Sequence, residues 1–297
     1  MKKELTKIAI TAAMVLAFGS SGQAANIGTG YTQNFDSMGT TGTTLPTDWT
    51  VWKVGSDHAS WTTSITANGA SDSVQAMTSA GTTLSAAMLD SSIVYGTKNA
   101  MAYNIAHAAT PTDRVLSTSP TGIDGNALQL SLTNNTGGTL NSINVSYDIV
   151  KFYDGTKQSS INSNYPVGEE LPGYQLFYSV NGGSWVNVSA LNPVATADGI
   201  HPVVAAGTPA AYNTNGSVDY SVTSINNALV TLATSWGIGQ TLNLRWVDDN
   251  AVNISNDQVI GLDNVNVNAA STPIPAAAWL LGSGLIGLVG LRRRSQG

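Results

Sequence analysis

The chain has 297 residues, a formal net charge of −6 and no cysteine, and only 10% of its residues are charged, against roughly 25% in an ordinary globular protein. The missing cysteines exclude disulfides and thiol chemistry. Between residues 25 and 271 there are six basic residues (Lys53, Lys98, Arg114, Lys151, Lys157, Arg245) and seventeen acidic ones. The clustered Lys and Arg that phosphate contacts require are absent, so nucleic-acid binding is disfavoured.

At the start, Lys2, Lys3 and Lys7 precede an apolar run over 8–18 and a small, polar stretch over 19–25. A positive segment, a short apolar segment and a small-residue cleavage region describe a secretory signal peptide. Cleavage after Ala24 places Gly22 and Ala24 in the two small-residue subsites; cleavage after Ala25 would place Gln23 in one of them. Residues 1–24 are therefore expected to be removed, and 25–271 to form the exported domain. Without disulfides that domain must be stabilised by its core, which its length permits.

Gln33-Asn34-Phe35-Asp36 reads as a first strand and residues 40–46 as a Thr/Gly loop. Trp49 to Trp52 reads as a second strand, and alternation sets Trp49 and Val51 on one face and Trp52 on the other. Residues 60–81 have little pattern; 84–109 are read as loop, with room for a short helix. Leu128, Leu130 and Leu132 alternate with polar residues, as do Ile143, Val145, Tyr147 and Ile149 after a turn at 134–138. A polar loop over 153–173 carries Glu169 and Glu170. A strand over 174–180 turns back through Asn181-Gly182-Gly183 into 185–188, glycine supplying the positive φ of a tight turn. A long loop follows over 191–215, then a strand over 218–222 and a connector or helical turn over 226–235. Leu242, Leu244 and Trp246 line one face of a strand whose other face carries Arg245 and Val247. Residues 248–257 read as a polar loop, and 259–267 as the last strand. Short strands, turn residues between them and little helix predict an all-β fold, an antiparallel β-sandwich or jelly roll.

Chemistry is sparse in this domain. Oxygen ligands suited to Ca²⁺ gather at Asp248, Asp249, Asn250, Asn256 and Asp257, and pairing of the first and last strands would bring Asp36 to Asp263. The competing reading makes these residues turn formers. Trp52 and Trp61 are the residues to stack on a sugar ring, although tryptophan in a sandwich more often fills the core, as expected for Trp185 and Trp246. His58, His107 and His201 are isolated in sequence, and no Gly-x-Ser-x-Gly elbow occurs, so a hydrolase serine cannot be placed. Glu169 and Glu170 are adjacent, so on a strand they would point apart.

The end of the chain holds the most specific signal. Residues 276–291 carry no ionisable side chain, and as a helix they would rise ~24 Å, a little short of the ~30 Å hydrocarbon core. Trp279 can anchor at one interface, and Arg292, Arg293 and Arg294 stop the span on the cytoplasmic side. Pro273 and Pro275 hold the preceding peptide extended, as a processing enzyme requires. Pro273, Ile274, Pro275 and Ala276, the apolar span with Gly282, Gly284 and Gly287, and the arginine stop together resemble the PEP-CTERM sorting signal in its VPLPA-like variant. Ile274 stands where the name-giving motif has glutamate. The resemblance implies recognition by an exosortase-type membrane enzyme in an exopolysaccharide-producing Gram-negative bacterium; the competing reading is an uncleaved single-span anchor. The opening Asn34-Phe35-Asp36-Ser37 and the close Gly261-Leu262-Asp263-Asn264-Val265 are similar to the jelly-roll domains of PEP-CTERM proteins and, more distantly, to MAM and carbohydrate-binding jelly rolls. The sequence thus predicts an exported, non-enzymatic protein of the cell surface or exopolysaccharide matrix. A carbohydrate-binding adhesin is the first alternative and a secreted hydrolase the second.

Overall fold

The computed structural model describes residues 23–53, 77–84, 87–88, 101–107, 110–120, 125–153, 173–192, 194–196, 199–201, 222–249 and 259–270. Sixteen strands lie within them: β1 (Ala25–Asn26), β2 (Tyr31–Gln33), β3 (Trp49–Lys53), β4 (Thr78–Gly81), β5 (Ala87–Met88), β6 (Met101–Ala106), β7 (Arg114–Ser119) and β8 (Gly125–Thr133) in the first half. The second half supplies β9 (Leu140–Tyr153), β10 (Gln175–Val180), β11 (Val186–Asn187), β12 (Val194–Thr196), β13 (Gly199–His201), β14 (Val222–Trp236), β15 (Thr241–Asp249) and β16 (Val259–Ala269). They form two seven-stranded sheets and a small β12–β13 hairpin. The first sheet runs β11-β10-β15-β8-β3-β4, with β1 beside β8; the second runs β14-β9-β16-β7-β6-β5, with β2 beside β16. Pairing is antiparallel except for β1 with β8 and β5 with β6. The expected all-β sandwich is therefore what the chain forms, and its first and last long-range partners, β2 and β16, do pair.

The core between the sheets follows from the alternation read in the sequence. Leu128, Leu130 and Leu132 of β8, Leu242, Leu244 and Trp246 of β15, and Ile143, Val145, Tyr147 and Ile149 of β9 all point inward and are buried. Four aromatics link the layers. Phe35 meets Trp49 edge-on at 5.0 Å, Trp49 stacks on Trp246 at 5.5 Å, and Trp246 meets Tyr147 edge-on at 5.6 Å. Such pairs add about 0.5–1.5 kcal/mol each beyond burial.

Two smaller apolar clusters cover the outer faces. Tyr103, Ile105, Val115, Val150, Phe152 and Val259 pack outside the second sheet. There Gly261 is required by space: a Cβ would overlap the side chains of Val115 and Ser117. Met77, Ala127, Phe177, Trp185 and Val247 pack outside the first sheet. Trp185 is thus buried as expected, but on the far side of its sheet from the main core.

Several expectations are corrected. Asn34 to Asp36 is not strand: Phe35 turns the chain at φ 60° into a 3-10 turn over Asp36–Met38. Within 84–109 lie β5 and β6 rather than loop. β6 and β7 bury both faces, so neither shows the two-residue period that betrays a half-exposed strand. The stretch 226–235 is the middle of the fifteen-residue β14. Its alternation is broken at Asn226 and Asn227 by a bulge with Asn227 at φ 49°. The bulge leaves both Ile225 and Ala228 facing inward. The 191–215 loop contains the β12–β13 hairpin. Among the described residues no helix is long and apolar enough to cross a membrane. The span 276–291 and residues 1–22 of the expected leader 1–24 lie outside them.

Candidate functional site

β16 is flanked on one side by β9 along its length. Its other flank is divided between two strands. β7 pairs with Ile260, Gly261 and Leu262, whereas β2 pairs with Val265, Asn266 and Val267. The change-over falls on Asp263 and Asn264, which neither strand pairs. Asn264 sits at φ 49°, where the register against β9 also shifts. A break in the ladder exposes backbone and aims side chains outward, and bulges of this kind recur beside binding sites.

The residues that close over this break come from four elements. Asp36, at the head of the 3-10 turn, accepts the Arg114 backbone N–H at 2.8 Å and the Asn34 amide at 2.7 Å. Asp148 of β9 is the register partner of Asp263. The Asn264 amide donates to Asp148 Oδ2 at 2.8 Å and to Asp263 Oδ2 at 3.3 Å, and its backbone N–H donates to Asp263 Oδ1 at 2.7 Å. Asp113 precedes β7 and lies 3.4 Å from His107 Nδ1. Asp263 is only 4% exposed. Burial pushes its carboxyl up to about 7, opposed by the Asn264 N–H and assisted by the charges of Asp113, Asp148 and Asp36. Asp36 lies near enough to Asp263 for its charge to raise that carboxyl, although it sits on the 3-10 turn beyond β2 and not on a paired strand. Asp113, Asp148 and Asn264 join them, and nothing in their local sequence signals it, because the strand break that gathers them is a tertiary feature.

Asp248, also read as a calcium ligand, goes elsewhere. β15 runs through Asp249, so Asp248 and Asp249 are strand residues and not loop. Asp248 points between the sheets, fully buried, and accepts the Thr118 hydroxyl at 2.5 Å; Thr118 in turn meets the Tyr174 hydroxyl at 2.8 Å. Burial and the Asp248 charge push the Tyr174 phenol up. This group ties the sheets together. Asn250, Asn256 and Asp257 lie outside the described residues. Among those described, no three His, Cys, Asp or Glu side chains converge closely enough to hold a metal by themselves.

Beside the strand break is a cleft of about 400 Å³, lined by Thr32, Gln33 and Asn34 on one side and Asn264, Val265 and Asn266 on the other. All of the described lining residues except Val265 carry an amide or hydroxyl group. The outer face of the second sheet continues this chemistry: Ser146 pairs with Asn266, Asn144 with Asn268, and Ser142 with Thr231.

Trp52, read as a sugar-stacking residue, is half-buried. One face of the Trp52 ring is covered by the Arg245 guanidinium at 3.8 Å, and Trp185 lies 4.1 Å from the same carbon. Arg245 also donates to Gln129 Oε1 at 2.6 Å, and the Trp52 indole N–H donates to Thr50 at 2.8 Å. Burial lowers the Arg245 pKa to about 9. Trp61, Glu169, Glu170, His58 and the sorting residues Pro273, Ile274, Pro275, Ala276, Arg292, Arg293 and Arg294 lie outside the described residues.

No family model matches the chain, and no curated protein matches it. Among solved structures it is similar to the catalytic domain of a GH87 alpha-1,3-glucanase in complex with nigerose, with 12% identity and a TM-score of 0.24, over 54% of this chain and 22% of that one. The same catalytic domain in complex with tetrasaccharides matches to the same extent. The chain spans about a fifth of that structure's length, and a TM-score this low carries no argument on activity.

Proposed function

We propose that the protein is an exported, non-enzymatic component of the cell surface or exopolysaccharide matrix of a Gram-negative bacterium, delivered by its leader and sorted through its C-terminal tail by an exosortase-type enzyme. The observation that carries this reading is the sequence of the two ends: a basic and then apolar leader over 1–24, and Pro273-Ile274-Pro275-Ala276 followed by the uncharged run to 291 and Arg292, Arg293 and Arg294. Between them lies the stretch 25–271, whose described residues form the β-sandwich. Within it, β2 pairs along β16 and joins the two ends of that stretch.

A calcium ion belongs to the same reading, with Asp36 and Asp263 as its carboxylate ligands. Since only part of a calcium shell is available from carboxylates here, amides, backbone carbonyls and water would supply the rest. Its role would be to neutralise the carboxylates around Asp263 and hold the 3-10 turn to β16.

The sorting reading is tested by expressing the chain, with an epitope placed before residue 272, in a Gram-negative host with and without an exosortase. The expected outcome is an N-terminus at Ala25 in both strains, and tail loss with surface or matrix recovery only where the enzyme is present. Full-length, unprocessed chain in the cytosol would end the proposal. A second reading, a carbohydrate-binding adhesin, is favoured by the amide-lined cleft rather than by Trp52.

A further inference from the structure

We infer that the cleft between β2 and β16 is a docking site for an uncharged polysaccharide, which would be the matrix partner of the protein; this rests on the reading of the chain as a matrix component. The argument begins with the lining. Thr32, Gln33, Asn34, Asn264 and Asn266 offer hydroxyl and amide groups, and Val265 is the one apolar member. A sugar hydroxyl both donates and accepts, and an amide or hydroxyl side chain meets both needs from one position. The cleft falls within the ~300–1,000 Å³ range of small-ligand sites.

The surroundings exclude other ligands. Asp36, Asp148 and Asp263 stand beside the cleft, and no Lys or Arg is among the described residues that line it. In the calcium-free protein a phosphate, sulfate or uronate would meet like charge there. An apolar or aromatic ligand would have to desolvate five polar side chains without replacing their hydrogen bonds.

The amides are also held in place. Asn264 is fixed by Asp148 and Asp263, Asn34 by Asp36, and the Gln33 oxygen by the Phe35 N–H at 2.8 Å. Asn268 donates to the Asn266 oxygen. This leaves the Asn264 oxygen, the Asn266 NH₂ and the Thr32 hydroxyl to meet a ligand, and side chains already ordered lose less entropy on binding.

Two non-glycine residues in left-handed backbone border the cleft, Phe35 at φ 60° and Asn264 at φ 49°. For a residue as bulky as phenylalanine this is a true outlier, and such strain concentrates at ligand sites. Phe35 packs its ring into the core against Trp49 at the point where the chain leaves β2 for the 3-10 turn, next to Asn34 of the cleft. With no aromatic platform, each contact is weak. Binding to a polymer would gain from the repeating ligand, and from the Ser and Asn rows that extend the polar face across β9.

The test uses the full chain, solubilised in a detergent without a sugar headgroup. Titration calorimetry and saturation-transfer NMR would follow maltohexaose, cellohexaose and xylohexaose, with hexagalacturonate as the anionic control. At least one neutral hexamer should bind and the anionic one should not. Asn266→Ala and Thr32→Val should each weaken that binding about fivefold, the loss expected of one hydrogen bond. Thr231→Val, on the same face but away from the cleft, should leave it unchanged, and the melting temperatures of all three variants should match the parent. Binding by none of the neutral sugars, equal binding of the anionic control, or indifference to both cleft substitutions would overturn the inference. None of those results bears on export and sorting, which the processing experiment reads separately.

Discussion

Asp263 decides how this site responds to its surroundings. Its folded carboxyl titrates near 7 against 3.8 for the free group, so between those values the folded state holds a proton that the unfolded state has lost. Folding is then stabilised at acidic pH, and that contribution disappears as pH rises through about 7. The difference between the two values sets its size at no more than on the order of 4 kcal/mol. For EDTA-treated protein the melting temperature should therefore fall between about pH 4 and pH 7 and level off above that, and Asp263→Asn should flatten the fall. A divalent cation would replace the proton, so adding Ca²⁺ at the alkaline end should restore the lost stability if the proposed ligand set is right. A parent protein whose melting temperature rises steadily over this range would contradict the burial of Asp263, and no Ca²⁺ effect would dismiss the ion while leaving the carboxylate argument standing.

Among the elements, the segment from the 3-10 turn to Gly42 matters most, because it carries Asp36 to β16. Besides the Arg114 N–H that Asp36 accepts, one side chain of β6 fastens it. The Asn104 amide donates to the carbonyls of Gly39 and Gly42, each at 2.9 Å, and its oxygen accepts Arg114 Nε at 2.6 Å. Both Asn104 and Arg114 are fully buried. Asn104→Ala would strand two carbonyls and part of a buried guanidinium, and should cost about 2–4 kcal/mol in urea unfolding, since hydrogen bonds to charged groups are among the stronger ones. A loss below about 1 kcal/mol would show that the segment is fastened elsewhere. The same change should weaken any calcium response, because Asp36 would no longer be positioned.

For the whole molecule, the division between sandwich and tail makes a direct prediction. A chain ending at Ser271 should melt within about 2 °C of the full chain, as expected when no core contact is removed; a drop of several degrees would place the tail inside the globular body. The expectation of that division was drawn from sequence alone, because leaders and spans are written as local runs of charge and apolarity that need no partner. So was the inward set of β8, β9 and β15, where one face is buried and the other is polar, and where Leu128, Ile143 and Leu242 keep a strict period of two. Residues whose roles depend on distant partners were not legible. β6 and β7 are buried on both sides, β14 is bulged at Asn227, and Arg245 takes Trp52 and Trp185 from parts of the chain far apart in sequence. Asp248 reads like a loop ligand until Thr118 reaches it across the core. Only the tertiary structure decided that β16 changes partners at Asp263, because a strand's neighbours are set by how both sheets close, and no local run of residues encodes that closure.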